Sequence, residues 1–548
     1  MQTTRDGGRV AIVGGGPAGL VAAKSLLEEG LHPTVFQRSS NLGGQWNAPG
    51  PHSGVWKTMR ANTSKVTMCF SDFPLEEELP MFLTNQQAHE YLLKYAKHFG
   101  LDECLKLNTR VEMVSRADGG GWLVESKTLE ERREAEVFPH VIIAPGRFNQ
   151  PRIPTVKGLA KFKGATSHPF DYRGNDQFKE KRVLVIGNGI SGLEVASELA
   201  TDPSITVISS CRKPRYIITK IFGGIPSDCA HFTRFGLLLN RAIPSEKAAE
   251  ALKKMILKQC GSPEQYGGLK PADNIFEANI SMSQYYLAQV AEGKILPKEG
   301  LFELTEDTAL FADGTSERID AAVFATGYEL SLPFLAQDIQ QSIAADGTHI
   351  DLYCYTFHPD LPNLAFMGLY VQVGPYFPVL ELQARWIAMV WNGIKPLPSR
   401  EKMMAGIGEF QEWKKVHCET FFHEMAIRLS KEAGVTPALD KHPELSKALL
   451  FGPLASSQFR LDGHGRRQRA ATEFLATAST FGNITSPHLS EEQTAVLAMI
   501  ARTVGDEPSL AALLQMLQRR NKLSSPRVAV QCAKLGRMQV TPRRDNPP

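Results

Sequence analysis

Val10-Ala-Ile-Val-Gly14-Gly15-Gly16-Pro17-Ala18-Gly19 runs directly into Leu20-Val-Ala-Ala-Lys-Ser-Leu-Leu. A second stretch, Val183-Leu-Val-Ile-Gly187-Asn-Gly189-Ile-Ser191-Gly192, runs into Leu193-Glu194-Val-Ala-Ser-Glu-Leu-Ala. Each reads as an apolar strand, a G-x-G-x-x-G turn and a helix. The first glycine makes the tight turn, the second lets backbone approach a pyrophosphate, and the third allows the helix to pack closely on the strand. The helix N-terminus then faces the phosphates with unpaired N–H groups. One such stretch is weak evidence, since glycine turns are common. Two of them, roughly 170 residues apart and both in βαβ context, predict two dinucleotides held by one chain.

The residues after each helix differ. Gly30 stops the first helix, and Thr34-Val-Phe-Gln37-Arg38 reads as the next strand. An acidic residue is expected near its end to hold a ribose hydroxyl, and Gln37 stands there instead. A neutral amide can make that bond, though less strongly than a carboxylate. The equivalent position in the second unit, Ser209-Ser210-Cys211-Arg212-Lys213, carries no carboxylate. Positive charge there accommodates a 2′-phosphate, so the second site favours NADPH over NADH. The alternative is that Arg212 and Lys213 are ordinary solvated charges.

With 548 residues the chain is long enough for several domains with real cores. A net charge of +3 with mixed signs gives no case for nucleic acid. No uncharged apolar run is long enough to span a membrane, and residues 1–9 lack a signal-peptide core. Eight cysteines (Cys69, Cys104, Cys211, Cys229, Cys260, Cys354, Cys418 and Cys532) form no C-x-x-C pair, which predicts reduced thiols in a cytoplasmic protein. No HExxH motif, Cys/His cluster or G-x-S-x-G elbow supports metal or serine-hydrolase chemistry.

The expected class is α/β, with two Rossmann-like nucleotide-binding domains, the second inserted into the first, and a helical C-terminal tail. Residues 1–155 form the first part of the first domain, closing at the apolar strand His140 to Gly146. Residues 156–330 form the second domain, with a helical insertion at about 214–300, and close at Ala321 to Tyr328. Residues 331–465 return to the first domain through a strand at Leu364 and a helix at Pro378 to Val390. In the tail, 466–548, Ser490-Glu-Glu-Gln493 has capping-box spacing. Leu510, Leu513, Leu514 and Leu517 make one helical face, followed by Arg519, Arg520 and Lys522. This predicts a small helical pair packed on the body or on another subunit of a homo-oligomer. Peripheral contact with anionic lipid through the basic residues is the alternative.

Further motifs resemble the flavin-containing monooxygenases, class B flavoproteins of the dimethylaniline N-oxide-forming type. Phe162-Lys-Gly164-Ala-Thr-Ser-His168-Pro-Phe-Asp-Tyr172 matches their F-x-G-x-x-x-H-x-x-x-[Y/F] signature, between the two fingerprints. Ala325-Thr-Gly-Tyr328, Leu42-Gly-Gly-Gln45-Trp46, Ala61-Asn62-Thr63-Ser-Lys65 and Met68 to Pro74 continue the likeness. So do Glu381 to Trp386 and Gly452 to Leu461, so that the likeness covers about 8–465.

The resemblance implies FAD in the first domain and NADPH in the second. Reduced flavin captures O₂ as a C4a-hydroperoxide and passes the distal oxygen to a small nucleophile, an amine nitrogen or sulfide sulfur. It further implies that Gly14, Gly15, Gly16, Pro17, Ala18 and Gly19 hold the FAD pyrophosphate and that Gln37 faces its ribose, where the family usually has Glu. Gln45 and Trp46 line the flavin, while Ala61 and Thr63 lie beside FAD. Asn62 is the catalytic amide near flavin and nicotinamide. Gly187, Gly189, Ser191, Gly192, Leu193 and Glu194 meet the NADP pyrophosphate and Arg212 its 2′-phosphate, with Gln372 near the cofactors. His168 and Tyr328 are expected to shape the linker.

Baeyer–Villiger oxygenation of ketones uses the same chemistry, but its dedicated enzymes usually carry Trp where Tyr172 ends the signature. A disulfide reductase lacks its cysteine pair here. An NADPH oxidase and a non-enzymatic FAD-holding protein complete the alternatives.

Overall fold

A computed structural model describes residues 8–524 apart from 49, 51, 52, 483, 485 and 506. Cys532 and the side chains of Arg520 and Lys522 lie outside what is described. Two five-stranded sheets, parallel throughout, organise the chain. The first has the order Leu364–Phe366, His140–Ile143, Arg9–Val13, His32–Phe36, Leu105–Lys106. The second has the order Ile295–Lys298, Thr206–Ser210, Arg182–Ile186, Ala321–Phe324, Ala165–Ser167. Their central strands are apolar runs because helices and loops cover both faces. Val10, Ala11 and Ile12, like Val183, Leu184 and Val185, are fully buried.

The two units repeat one plan. A strand leads through the glycine turn into a helix, Pro17–Glu28 or Ile190–Leu199, and then to a second strand. A three-stranded antiparallel meander follows, 109–138 in the first unit and 301–318 in the second. A last parallel strand then returns beside the first. The strand Leu364–Phe366, some 220 residues further on, completes the first sheet beside His140–Ile143. The second unit therefore lies within the sequence of the first. Gln150–Pro151 and Tyr328–Glu329 pair antiparallel where the chain leaves and re-enters it.

The stretch 214–300 is helical only in part. It holds short strands at Tyr216–Ile218 and Ile280–Met282, a hairpin at 221–226, and helices Arg234–Ala242 and Ser245–Cys260. Its last strand, Ile295–Lys298, belongs to the second sheet.

The tail forms three helices, Ala470–Phe481, Glu491–Val504 and Pro508–Ser524. The capping box at Ser490 and Gln493 starts the second of these. Leu510, Leu513 and Leu514 are buried with Leu497, Ile500 and Phe474 against Leu238 and Leu449 of the body. The leucine face is thus covered by the chain itself. Arg234 fixes the contact: it donates to Glu507 (2.8 Å) and to the Pro437 carbonyl (2.8 Å), and Lys431 lies 3.0 Å from the same carboxylate. Among the described residues no helix is long and apolar enough to cross a membrane.

Arg234 and Glu507 are 3% and 4% exposed, so removing one leaves the other charged and desolvated. Glu507→Ala is expected to cost about 3–5 kcal/mol. Denaturant unfolding should show that loss; a change below 1 kcal/mol would mean the tail does not depend on the pair.

Candidate functional site

The glycine turns are dictated by backbone contacts that no side chain could share. Gly14 has φ +113°, and a Cβ there would stand 2.3 Å from the Ala144 carbonyl oxygen. Gly187 has φ +115°, and its Cβ would stand 2.4 Å from the Ala325 carbonyl oxygen. The third glycines repeat the constraint: a Cβ on Gly19 would lie 1.9 Å from the Gly14 oxygen, and one on Gly192 would lie 2.0 Å from that of Gly187. Gly189 is different. Nothing lies within 4 Å of where its Cβ would be, so its lack of a side chain keeps a space open. Gly16 and Gly189 cap their helices with extended backbone and no side-chain bond. The first-turn N–H groups of Ala18, Gly19, Ser191 and Gly192 therefore have no intrahelical acceptor. Both turns suit a pyrophosphate.

Gln37 stands at the end of its strand, but its amide already has partners. Its Oε1 accepts from the Gly15 N–H (2.9 Å), and its Nε2 donates to Ser39 and to the Asn41 carbonyl (2.9 Å). Only the second Oε1 lone pair is left for a ribose hydroxyl. In the second unit the two serines are engaged: Ser209 accepts from Tyr286 (3.0 Å), and Ser210 donates to the Glu299 carbonyl (2.6 Å). Arg212 and Lys213 are exposed and form no ion pair among the described residues. Asn188, inside the fingerprint, donates to the Lys213 carbonyl (2.9 Å), which holds these cations beside the turn.

At two expected contacts the groups are already engaged within the protein. Leu193 is fully buried in the core of the second unit, and its N–H donates to Gly189. Glu194 pairs with the buried Lys220 (3.1 Å), a better place for a carboxylate than beside a phosphate.

The Leu42-Gly43-Gly44-Gln45-Trp46 turn packs on the first fingerprint, with Gly43 donating to the Gly15 carbonyl (2.9 Å). Gln45 donates to Phe148 (2.8 Å), and Trp46 packs on the first core. Ala61 is buried, its N–H given to Leu83 (2.8 Å). Next to it, Asn62 Oδ1 is buried without a partner. An amide oxygen in that state calls for a donor that the protein does not supply. Thr63 is half-buried beside it. Gln372 donates to the Pro375 carbonyl, and its Oε1 is another buried acceptor without a partner.

Sequence spacing does not reveal what holds the Asn62 turn. Trp56 and Thr58 donate to Glu198 (2.7 Å from Thr58), which lies on the helix after the second fingerprint. Ser64 donates through its N–H (3.0 Å) and Oγ (2.8 Å) to Asp228, as does Thr67. Burial pushes the Asp228 carboxyl up, against the pull of the Thr67 and Ser64 donors. Further along, Ser71 donates its N–H to Glu381 (2.7 Å), and Arg460 bridges Ser71 Oγ (2.7 Å) and Glu381 (2.9 Å). Burial works against the Glu381 carboxylate, but Arg460 and Arg385 hold its pKa below the ordinary value.

His168 is 1% exposed and bridges the linker strands. Its Nε2–H donates to the Gly327 carbonyl (2.9 Å) and its Nδ1 accepts from the Phe170 N–H (3.1 Å). That pattern needs the neutral ring, and burial lowers its pKa accordingly. Tyr328 packs edge-on against His168.

Comparison with known proteins follows the same lines. The profile of the flavin-binding monooxygenase-like family matches residues 7–516. The match runs some 50 residues beyond the 465 that the sequence motifs reached, and it takes in all three tail helices in whole or part. Rabbit (Oryctolagus cuniculus) flavin-containing monooxygenase 5 is 33% identical over 520 residues, 90% of this chain and 96% of its own. Chimpanzee (Pan troglodytes) dimethylaniline monooxygenase [N-oxide-forming] 2 is 34% identical over 84% of this chain and 90% of its own. Among solved structures, S-allyl-L-cysteine S-oxygenase from Allium sativum aligns with a TM-score of 0.59 at 22% identity, over 86% of this chain and 99% of its own. That likeness concerns the fold.

Gly189→Ala adds a methyl to open space at φ −69°. It should lower the melting temperature only slightly, through the weaker N-cap, while weakening dinucleotide binding to the second unit about tenfold, a loss readable by titration. Gly192→Ala should instead cost about 1–3 kcal/mol of stability from the forced contact. Equal effects of the two would remove the distinction between cradle and packing glycine.

Proposed function

We propose that this chain, which belongs to the flavin-binding monooxygenase-like family, uses FAD and NADPH to place one atom of O₂ on an amine nitrogen or sulfide sulfur. The observation that carries this reading is the buried, unpartnered Asn62 oxygen, on a first-unit loop gripped by the second unit. The name of one protein similar to this one, an N-oxide-forming monooxygenase, supports the amine among these substrates.

In this reading 1–155 and 331–465 make the FAD domain, 156–330 the NADPH domain and 466–548 an extension of the body. Gly14 to Gly19 would hold the FAD pyrophosphate, with Gln37 at the ribose and Gln45, Trp46 and Thr63 along the flavin. Gly187, Gly189, Ser191 and Gly192 would hold the NADPH pyrophosphate, with Arg212 at the 2′-phosphate. Bound flavin supplies hydride acceptance from nicotinamide and transfer of oxygen from O₂ to a soft nucleophile. The protein positions the reacting groups and excludes water, which would otherwise divert oxygen to hydrogen peroxide. Asn62 would serve by accepting at Oδ1 and donating from Nδ2, on a turn whose flanking residues are held on both sides. The seven described cysteines are free thiols, which suits a cytoplasmic location.

Protein loaded with FAD, given NADPH and O₂, should oxygenate a tertiary amine or a thioether in preference to a cyclic ketone. Hydrogen peroxide as the sole product with every substrate would overturn the reading. Asn62→Ala should keep FAD and its reduction by NADPH, yet release most of the oxygen as peroxide. Normal product yield in that variant would take Asn62 out of the site. For Arg212→Ala, KM for NADPH should rise about tenfold while KM for NADH changes by less than about twofold. Parallel changes would show that Arg212 does not meet the 2′-phosphate.

A further inference from the structure

The Asn62 turn belongs to the first unit, yet the second unit supplies the carboxylates that hold it. Glu198 takes Trp56 and Thr58 on one side, and Asp228 takes Ser64 and Thr67 on the other. Asp228 is 2% exposed and one of its oxygens accepts from all three donors. Ser64 and Thr67 are fully buried, so no bulk water competes with Asp228 for those donors.

Asp228 is itself tied to the second fingerprint. The adjacent Ser227 donates its N–H to the Lys220 carbonyl (2.9 Å), and the Lys220 ammonium donates to Glu194 (3.1 Å), in the second turn of the fingerprint helix. Polar contacts joined by short stretches of backbone therefore connect the Gly187–Gly192 turn, through Glu194, Lys220 and the Ser227–Asp228 peptide, to the residues after Asn62. Glu198, one turn along the same helix from Glu194, reaches the residues before Asn62 directly.

We propose that Asp228 is a positioning residue for Asn62, one that makes the order of the Asn62 turn and nucleotide occupation of the second unit depend on each other. A ligand that stiffens the second fingerprint stiffens this turn, and by linkage an ordered turn favours that ligand. The link to oxygen transfer rests on the function proposed for Asn62; the mechanical link does not.

The test is hydrogen–deuterium exchange of the FAD-loaded protein, with and without NADP⁺, followed at the amides of 61–68. In the wild type, NADP⁺ should slow exchange there. Asp228→Ala should raise exchange in 61–68 about tenfold or more and abolish the NADP⁺ effect, while 9–28 and 190–199 exchange as before. Asp228→Asn, which keeps an acceptor, should restore part of the protection. Ser64→Ala removes one hydroxyl only and serves if Asp228→Ala does not fold. It should raise exchange in 61–68 by a smaller factor and weaken the NADP⁺ effect.

The second arm measures hydrogen peroxide released per NADPH consumed. That ratio should rise in Asp228→Ala at a flavin reduction rate within about twofold of wild type. Unchanged exchange in 61–68, or an NADP⁺ effect that survives the substitution, overturns the proposal. Loosened exchange with an unchanged peroxide ratio leaves Asp228 merely structural and equally overturns it as a positioning residue. If Asn62→Ala itself keeps full coupling while the exchange results hold, the function given to Asn62 fails and the mechanical link stands.

Discussion

One pair of close backbone approaches is repeated in both units of this protein. In both units a glycine at the end of the central strand lies against the carbonyl at the end of the next, and a second glycine five residues on lies against the first. These contacts leave no room for a methyl group, so they fix where each helix starts and which way its free N–H groups point. Everything functional is laid out from those two fixed points. The 42–46 turn rests on the first, the cations at 212 and 213 are tied beside the second, and the Asn62 turn is held between the two units.

Features that arise from contacts close in sequence were legible without coordinates. The fingerprints, the strand ends that follow them and the capping box at Ser490 all depend on residues within one or two elements. The return of the chain to complete the first sheet could be read from an apolar strand followed by a long helix. The family likeness was carried by ordered motifs, and two of them, Glu381 and Arg460, acquire a physical reason in their shared grip on Ser71.

Contacts distant in sequence were not legible. Nothing in Ser227-Asp228-Cys229 announces that its carboxylate meets Ser64, and no spacing rule links Trp56 to Glu198. Motif position also says nothing of the partners that such groups find within the protein. Leu193 follows the fingerprint but is a core side chain, and Glu194 finds a lysine. The tail shows the same division: its leucine face was evident, while its partner surface on Leu238 and the Arg234–Glu507 pair could only be seen in three dimensions.

The nesting of the units has a bearing on biosynthesis. A nascent chain that has emerged only as far as residue 330 has both central strands but lacks Leu364–Phe366 at the edge of the first sheet. One that has emerged to residue 465 leaves Leu238 and Leu449 without their tail partners and Arg234 without Glu507. The earliest part of the polypeptide to be translated is therefore among the last to be completed. A ribosome stalled within the final helices holds a protein whose nucleotide turns are formed but whose interior is still open to chaperones.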